Sequence, residues 1–252
     1  MPVMDEFRDE VEKIKHAPFK KRAEYFMDYY KWHVIGSVFF GVLIISFLYD
    51  VITAKEEAFY ALLLNSWQLD TVTEEATDEF QESIATTLEI DLEKESITLD
   101  SSMYMDYENQ DSYFSTYIQK LVTYISAQTL DVIVTDETTF GYLVESEYFV
   151  DLYEYLSEEE IALYEERFYY IDRAYYIEQS EVQQDVNSIY VFPEYDPTMK
   201  DYMEDPMAVG IYMGEDALLF DYYTYGDNQA VIGIVSNSKR FEQSLQFLEL
   251  VN

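Results

Sequence analysis

LDVIVTDETTFGYLVESEYFVDLYEYL, residues Leu130 to Leu156, is the stretch on which the reading of the fold turns. Leu130 to Val134 (LDVIV) is of strand length and rich in β-branched residues. Asp136 follows where a carboxylate can cap the free backbone N–H groups of a new helix, and Glu137 to Val144 continues as that helix. Immediately upstream, Phe114, Ile118, Leu121, Val122 and Ile125 form one apolar face between Asp111 and Gln128, a helix leading into the strand.

The same alternation extends in both directions. Ala58 to Leu64 (AFYALLL) suits a buried strand, and Phe80, Ile84 and Leu88 place a helix over Thr73 to Leu88. Ile97 and Leu99 alternate with Thr98 and Asp100 as a half-buried strand does. Downstream, Ser157 to Tyr170 reads as a helix with Glu158, Glu159 and Glu160 at its positive end. Ile189 to Phe192, Ala208 to Met213 and Ala230 to Val235 read as strands. A last helix after Asn237 or Ser238 turns Phe241, Leu245, Leu248 and Val251 inward. Strands separated by helices of this length imply an α/β fold: a mostly parallel sheet with flanking helices.

Before this domain, WHVIGSVFFGVLIISFLY runs from Trp32 to Tyr49 without a charge. As a helix it reaches roughly 27 Å, enough to span the hydrocarbon core. Tyr29, Tyr30 and Trp32 at one end and Tyr49 at the other suit the headgroup zones. Lys13, Lys15, Lys20, Lys21, Arg22 and Lys31 precede the run, whereas Lys55 after it is followed by Glu56 and Glu57, so the positive-inside rule puts the N-terminus in the cytoplasm. Two alternatives share the apolar signal. A basic flank on one side only disfavours a core helix, and the more than thirty residues before the run favour a retained anchor over a signal peptide, with cleavage after Ala54 left as the alternative. The expected organisation is a cytoplasmic amphipathic segment over 1–31, a transmembrane helix over 32–54 and an extracytoplasmic acidic α/β domain over 55–252. Within the first segment, Met4, Phe7, Val11 and Ile14 form one helical stripe, and Phe19, Ala23, Phe26 and Tyr30 form a second after Pro18. These helices would lie on the inner leaflet or dock a cytoplasmic partner.

Charge and composition narrow the function. Seven bases and seven acids cancel before the span, so the whole net charge of −36 falls after it, which argues against nucleic acid as a partner. There is no cysteine, which excludes disulfides, thiolate sites and a lipoprotein anchor and suits a bacterial exported domain. Both histidines, His16 and His33, precede the domain. Ser-His-Asp and Cys-His catalysis and histidine zinc sites are therefore excluded from it. Two carboxylates suffice for glycoside hydrolysis, yet no motif singles out a pair. The clusters Asp100, Asp106, Glu108, Asp111 and Asp196, Asp201, Glu204, Asp205 lack the glycine-centred spacing of an EF-hand and read as solvated surface. No catalytic residue, metal site or cofactor is expected.

Three stretches, Ala61 to Gln81, Leu130 to Leu156 and Ala230 to Leu250, resemble the bacterial extracytoplasmic solute-binding proteins, the class with α/β lobes. Together they cover about half of the outer domain, and none is a catalytic signature. Val51 to Asn252 is too short for two full lobes and a hinge, so the resemblance implies a reduced second lobe. In that family the ligand meets polar groups and an aromatic ring at the turns after the sheet strands. The matching positions are Asn65, Ser66 and Trp67 after the first strand and Thr135, Asp136 and Thr138 after the third. Trp67 is either a platform for the ligand or a ring packed under the neighbouring helix. The expectation is a non-enzymatic, membrane-tethered binding domain for a small solute. The alternative is an envelope assembly or scaffold protein that works through contacts with another envelope protein.

Overall fold

The computed structural model describes residues 18–107, 109, 112–175, 177 and 196–252. The stripe Met4, Phe7, Val11, Ile14 and the strand expected at Ile189 to Phe192 lie outside them. The chain divides into two compact units, Met1–Ala54 and Lys55–Asn252.

In the first unit, helix α1 runs unbroken from Phe19 to Thr53 (35 residues), with Pro18 at its N-cap. Proline fits there because its missing N–H would have had no partner in the helix. The stripe from Phe19 to Tyr30 is thus not a separate helix, as the sequence implied, but the first turns of the same long helix. No Gly or Pro interrupts Phe19 to Ile35, so nothing stops propagation. Lys31–Thr53, 23 residues of mean hydropathy 2.2, is long and apolar enough to cross a membrane. Its apolar side chains lie open, with Val38, Phe40 and Ile45 more than half exposed. In water such exposure would be costly at about 25 cal/mol per Å².

The second unit is a three-layer α/β/α domain. Its strands are β1 (Glu56–Leu63), β2 (Trp67–Gln68), β3 (Glu95–Asp100), β4 (Val132–Asp136), β5 (Phe168–Asp172), β6 (Pro206–Tyr212), β7 (Tyr223–Thr224) and β8 (Ala230–Ile234). Its helices are α2 (Glu74–Thr87), α3 (Phe114–Ser126), α4 (Glu137–Val144), α5 (Glu158–Tyr164) and α6 (Phe241–Val251). Six strands form one sheet in the order β3-β1-β4-β8-β6-β5, and β2 and β7 form a small antiparallel ribbon.

The expected parallel sheet is only half of what forms. β1 is parallel to β3 and β4, whereas β4-β8, β8-β6 and β6-β5 are antiparallel. The sheet is therefore mixed: β3, β1, β4 and β6 run one way, and β8 and β5 run the other. The parallel half arises from the crossovers β1-α2-β3 and β3-α3-β4. The antiparallel half is set by which strands become neighbours, β8 pairing with β4 and β6 with both β8 and β5, and local periodicity does not carry strand direction.

Alternation along β1 distributes the core. Phe59, Ala61 and Leu63 join Phe80, Ile84, Phe247 and Leu248 under α2 and α6. Tyr60, Leu62 and Leu64 join Leu121, Ile125 and Phe140 under α3 and α4 on the other face. One helix is shorter than expected. Ser157 and Glu160 close a capping box that starts α5, but the helix stops at Tyr164, and after a 3-10 turn Phe168 to Asp172 is strand β5. Sheet burial of Phe168, Tyr169, Tyr170 and Ile171 overrides the helical reading of that tail.

Candidate functional site

β1 and β4 are neighbours, but the chain leaves their carboxyl ends in opposite directions: from β1 to β3 on one side, and from β4 towards β5 at the far edge. Such a switch point leaves a crevice that no crossover fills. A groove of 240 Å³ occupies it, with Asn65, Trp67, Tyr104, Asp136, Thr138 and Tyr142 among its lining residues.

Asn65 organises the floor. It ends β1 in the left-handed region (φ 61°), which asparagine tolerates better than most residues. Its Nδ2 donates to Met105 O (2.9 Å), Asp136 Oδ2 (2.8 Å) and Thr139 Oγ1 (2.9 Å), and its Oδ1 accepts from Met105 N (2.6 Å). One buried amide thus ties the ends of β1, the loop after β3 and the start of α4. Asp136 caps α4, its Oδ1 accepting from Thr139 N at 3.0 Å. Thr135 Oγ1 donates to Asp136 Oδ2 at 3.4 Å.

Aromatic rings flank this floor. Trp67 (52% exposed) and Tyr104 (51%) lie with centroids 5.7 Å apart. Tyr107 stacks on Tyr142 at 4.1 Å and meets Phe114 edge-on. Burial, then the neighbouring Tyr148 and Glu145, push the Tyr107 hydroxyl up, so it stays protonated at neutral pH.

Of the six residues expected from the sequence, Asn65, Trp67, Asp136 and Thr138 line the groove together. Ser66 and Thr135 are buried beneath it. The Ser66 hydroxyl is taken up by Leu63 O at 2.7 Å. Trp67 is not tucked under a helix, because its ribbon with Thr224 and Tyr223 holds it at the surface. Tyr104, Met105, Asp106 and Tyr107 were missed. They follow β3, a strand parallel to β1, so the same edge rule applied to the second strand would have found them. Asn228 precedes the antiparallel β8, and only knowledge of that pairing brings it here.

A larger cavity of 410 Å³ lies elsewhere, lined by apolar residues such as Val144, Phe149, Ile171 and Val209 around the Arg173–Asp151 ion pair (3.2 Å). Glu147 and Glu154 also line it, and none of the six residues expected from the sequence does. Among the described residues, no group of three or more Asp, Glu or His could hold a metal ion. Glu108 and Asp111 of the first acidic cluster lie outside those residues. The chain matches no known protein-family model, no curated protein and no solved structure.

Proposed function

We propose that this chain is a membrane-tethered, non-enzymatic binding protein, with its N-terminus in the cytoplasm and its acidic α/β domain outside. The groove at the carboxyl ends of β1 and β4 would hold a small polar solute. The observation that carries the reading is the convergence of a saturated polar floor, Asn65 with Asp136 and Thr139, and the exposed rings of Trp67 and Tyr104 at a topological switch point. A rigid floor costs little entropy to present, and exposed rings gain area when a ligand covers them. The likeness of three stretches to solute-binding proteins supports the same reading. With only 240 Å³ available, the solute, or the part of it held here, is small.

The test has two arms. In a Trp32→Phe background Trp67 is the sole indole, and its emission is followed while the full chain in lipid nanodiscs is titrated with oligosaccharides, peptides and amines. Saturable change with one class supports the proposal. Silence across all classes, together with a stoichiometric crosslinked protein partner in native membrane, favours a scaffold instead. Orientation is read separately, since the absence of native cysteine makes Glu158→Cys a unique label. An impermeant maleimide should modify it on intact cells, and protection there refutes the topology.

A further inference from the structure

The groove does not end at its own rim. Asn228 is shared with a second depression of 360 Å³, formed with Met213, Glu215, Phe220, Asp227 and Gln229 among others. Asp136 pairs with Ala230, and Glu137 N donates to Gln229 O at 3.0 Å, which fixes the 226–229 turn against the start of α4. Met213 N donates to Ala230 O at 2.9 Å, so the second depression sits at the carboxyl end of β6, on the same sheet edge. From β1/β4 to β8/β6 is two strand spacings, about 10 Å.

The chemistry of both halves is alike. Asp106 and Asp136 line one, Glu215 and Asp227 the other, and no Lys, Arg or His is among their described lining residues. Rings accompany the acids in each: Trp67, Tyr104, Tyr107 and Tyr142 in the first, Phe220 in the second. The one feature that would ordinarily draw an anion, the N-terminus of α4, is already served by the chain's own carboxylates. Asp136 caps it, and Glu137 accepts from the Tyr212 hydroxyl at 2.6 Å.

We propose that the two depressions form one site for a linear oligoamine, a chain of ammonium groups long enough to reach both. This rests on the groove being a binding site and adds the class of ligand. Ammonium groups gain from the ring faces by cation–π attraction and from the carboxylates by charge, and the net charge of −36 speeds their encounter. A short diamine engages one half only.

The experiment is calorimetry on the full chain in phosphatidylcholine nanodiscs, with spermine, putrescine and maltotriose as probes and circular dichroism to show that each variant is folded. Spermine is expected to bind one to one and about tenfold more tightly than putrescine. Trp67→Ala with Tyr104→Ala leaves the charge unchanged and should weaken spermine by about tenfold. Glu215→Gln with Asp227→Asn should weaken spermine similarly and leave putrescine within about twofold. The remote pair Glu158→Gln with Glu159→Gln removes as much charge and should leave spermine within about twofold. If the remote pair matches the pocket pair, or the ring variants bind normally, spermine is held by the general field and the inference is overturned. Trp67-dependent binding of maltotriose without spermine overturns the oligoamine and leaves the groove standing as a binding site. If spermine, putrescine and maltotriose all fail, the oligoamine inference is overturned, and the wider titration of Trp67 emission decides the groove itself.

Discussion

Replacing Asn65 tests whether one amide holds the candidate site together. Asn65→Ala strands the Met105 N–H and removes the close donor to the Asp136 carboxylate, both buried, at about 1–3 kcal/mol each. A φ of 61° adds about 1 kcal/mol for a residue with a Cβ that lacks the local hydrogen bonding of asparagine. The expected cost is about 3–7 kcal/mol, a large share of the roughly 5–15 kcal/mol that a domain possesses. Asn65→Gly loses the same hydrogen bonds without the backbone strain and should cost about 1 kcal/mol less. Urea unfolding of the two variants, followed by far-ultraviolet circular dichroism at unchanged m value, reads both the total and the difference. An alanine variant within about 1 kcal/mol of the parent would show that the amide does not organise the floor. Equal costs for glycine and alanine would refute the strain component alone.

Two further outcomes follow from other parts of the domain. Burial would raise the Asp100 carboxyl, but Ser102, Tyr60 (2.6 Å) and Lys120 (3.3 Å) outweigh it and hold the group below the usual carboxylate range. Its contribution is present above the unfolded value, about 3.9, and lost as pH falls through the folded one, so Asp100→Asn should flatten the acid limb of a stability–pH curve, and an unchanged limb would count against it. Gly233→Ala would set a methyl 2.6 Å from the Phe149 ring and 2.9 Å from Phe140, costing about 1–3 kcal/mol by thermal melting, and Phe149→Leu in the same chain should recover part of it.

The sequence shows best the elements that carry both a start signal and a periodic face. Helix α4 has its expected bounds because Asp136 caps it and Phe140, Leu143 and Val144 face inward. Helix α5 was legible at its start, through Ser157 and Glu160, but no Gly or Pro marks its end, and the apolar run Phe168 to Ile171 fits either period. Strand direction was not legible, because β4 pairs with β8 across nearly a hundred residues and nothing local to Ala230 to Ile234 records its partner. At the site, Asn65 and Asp136 were found as turn residues after strands. The cap that Asp136 gives α4 was also legible, since Thr139 is only three residues on, but the crosslinking role of Asn65 depends on Met105, which only the fold brings near.

The spatial order of the sheet has a consequence for how the domain is made. β8, the last of the described strands in the chain, lies between β4 and β6 near the middle of the sheet. Until Ala230 to Ile234 emerges, the earlier strands form two separate ribbons, each with a naked, adhesive border. Assembly of the sheet therefore waits for Ala230 to Ile234 to arrive. A premature stop before Ala230 would yield sticky halves rather than a smaller working protein.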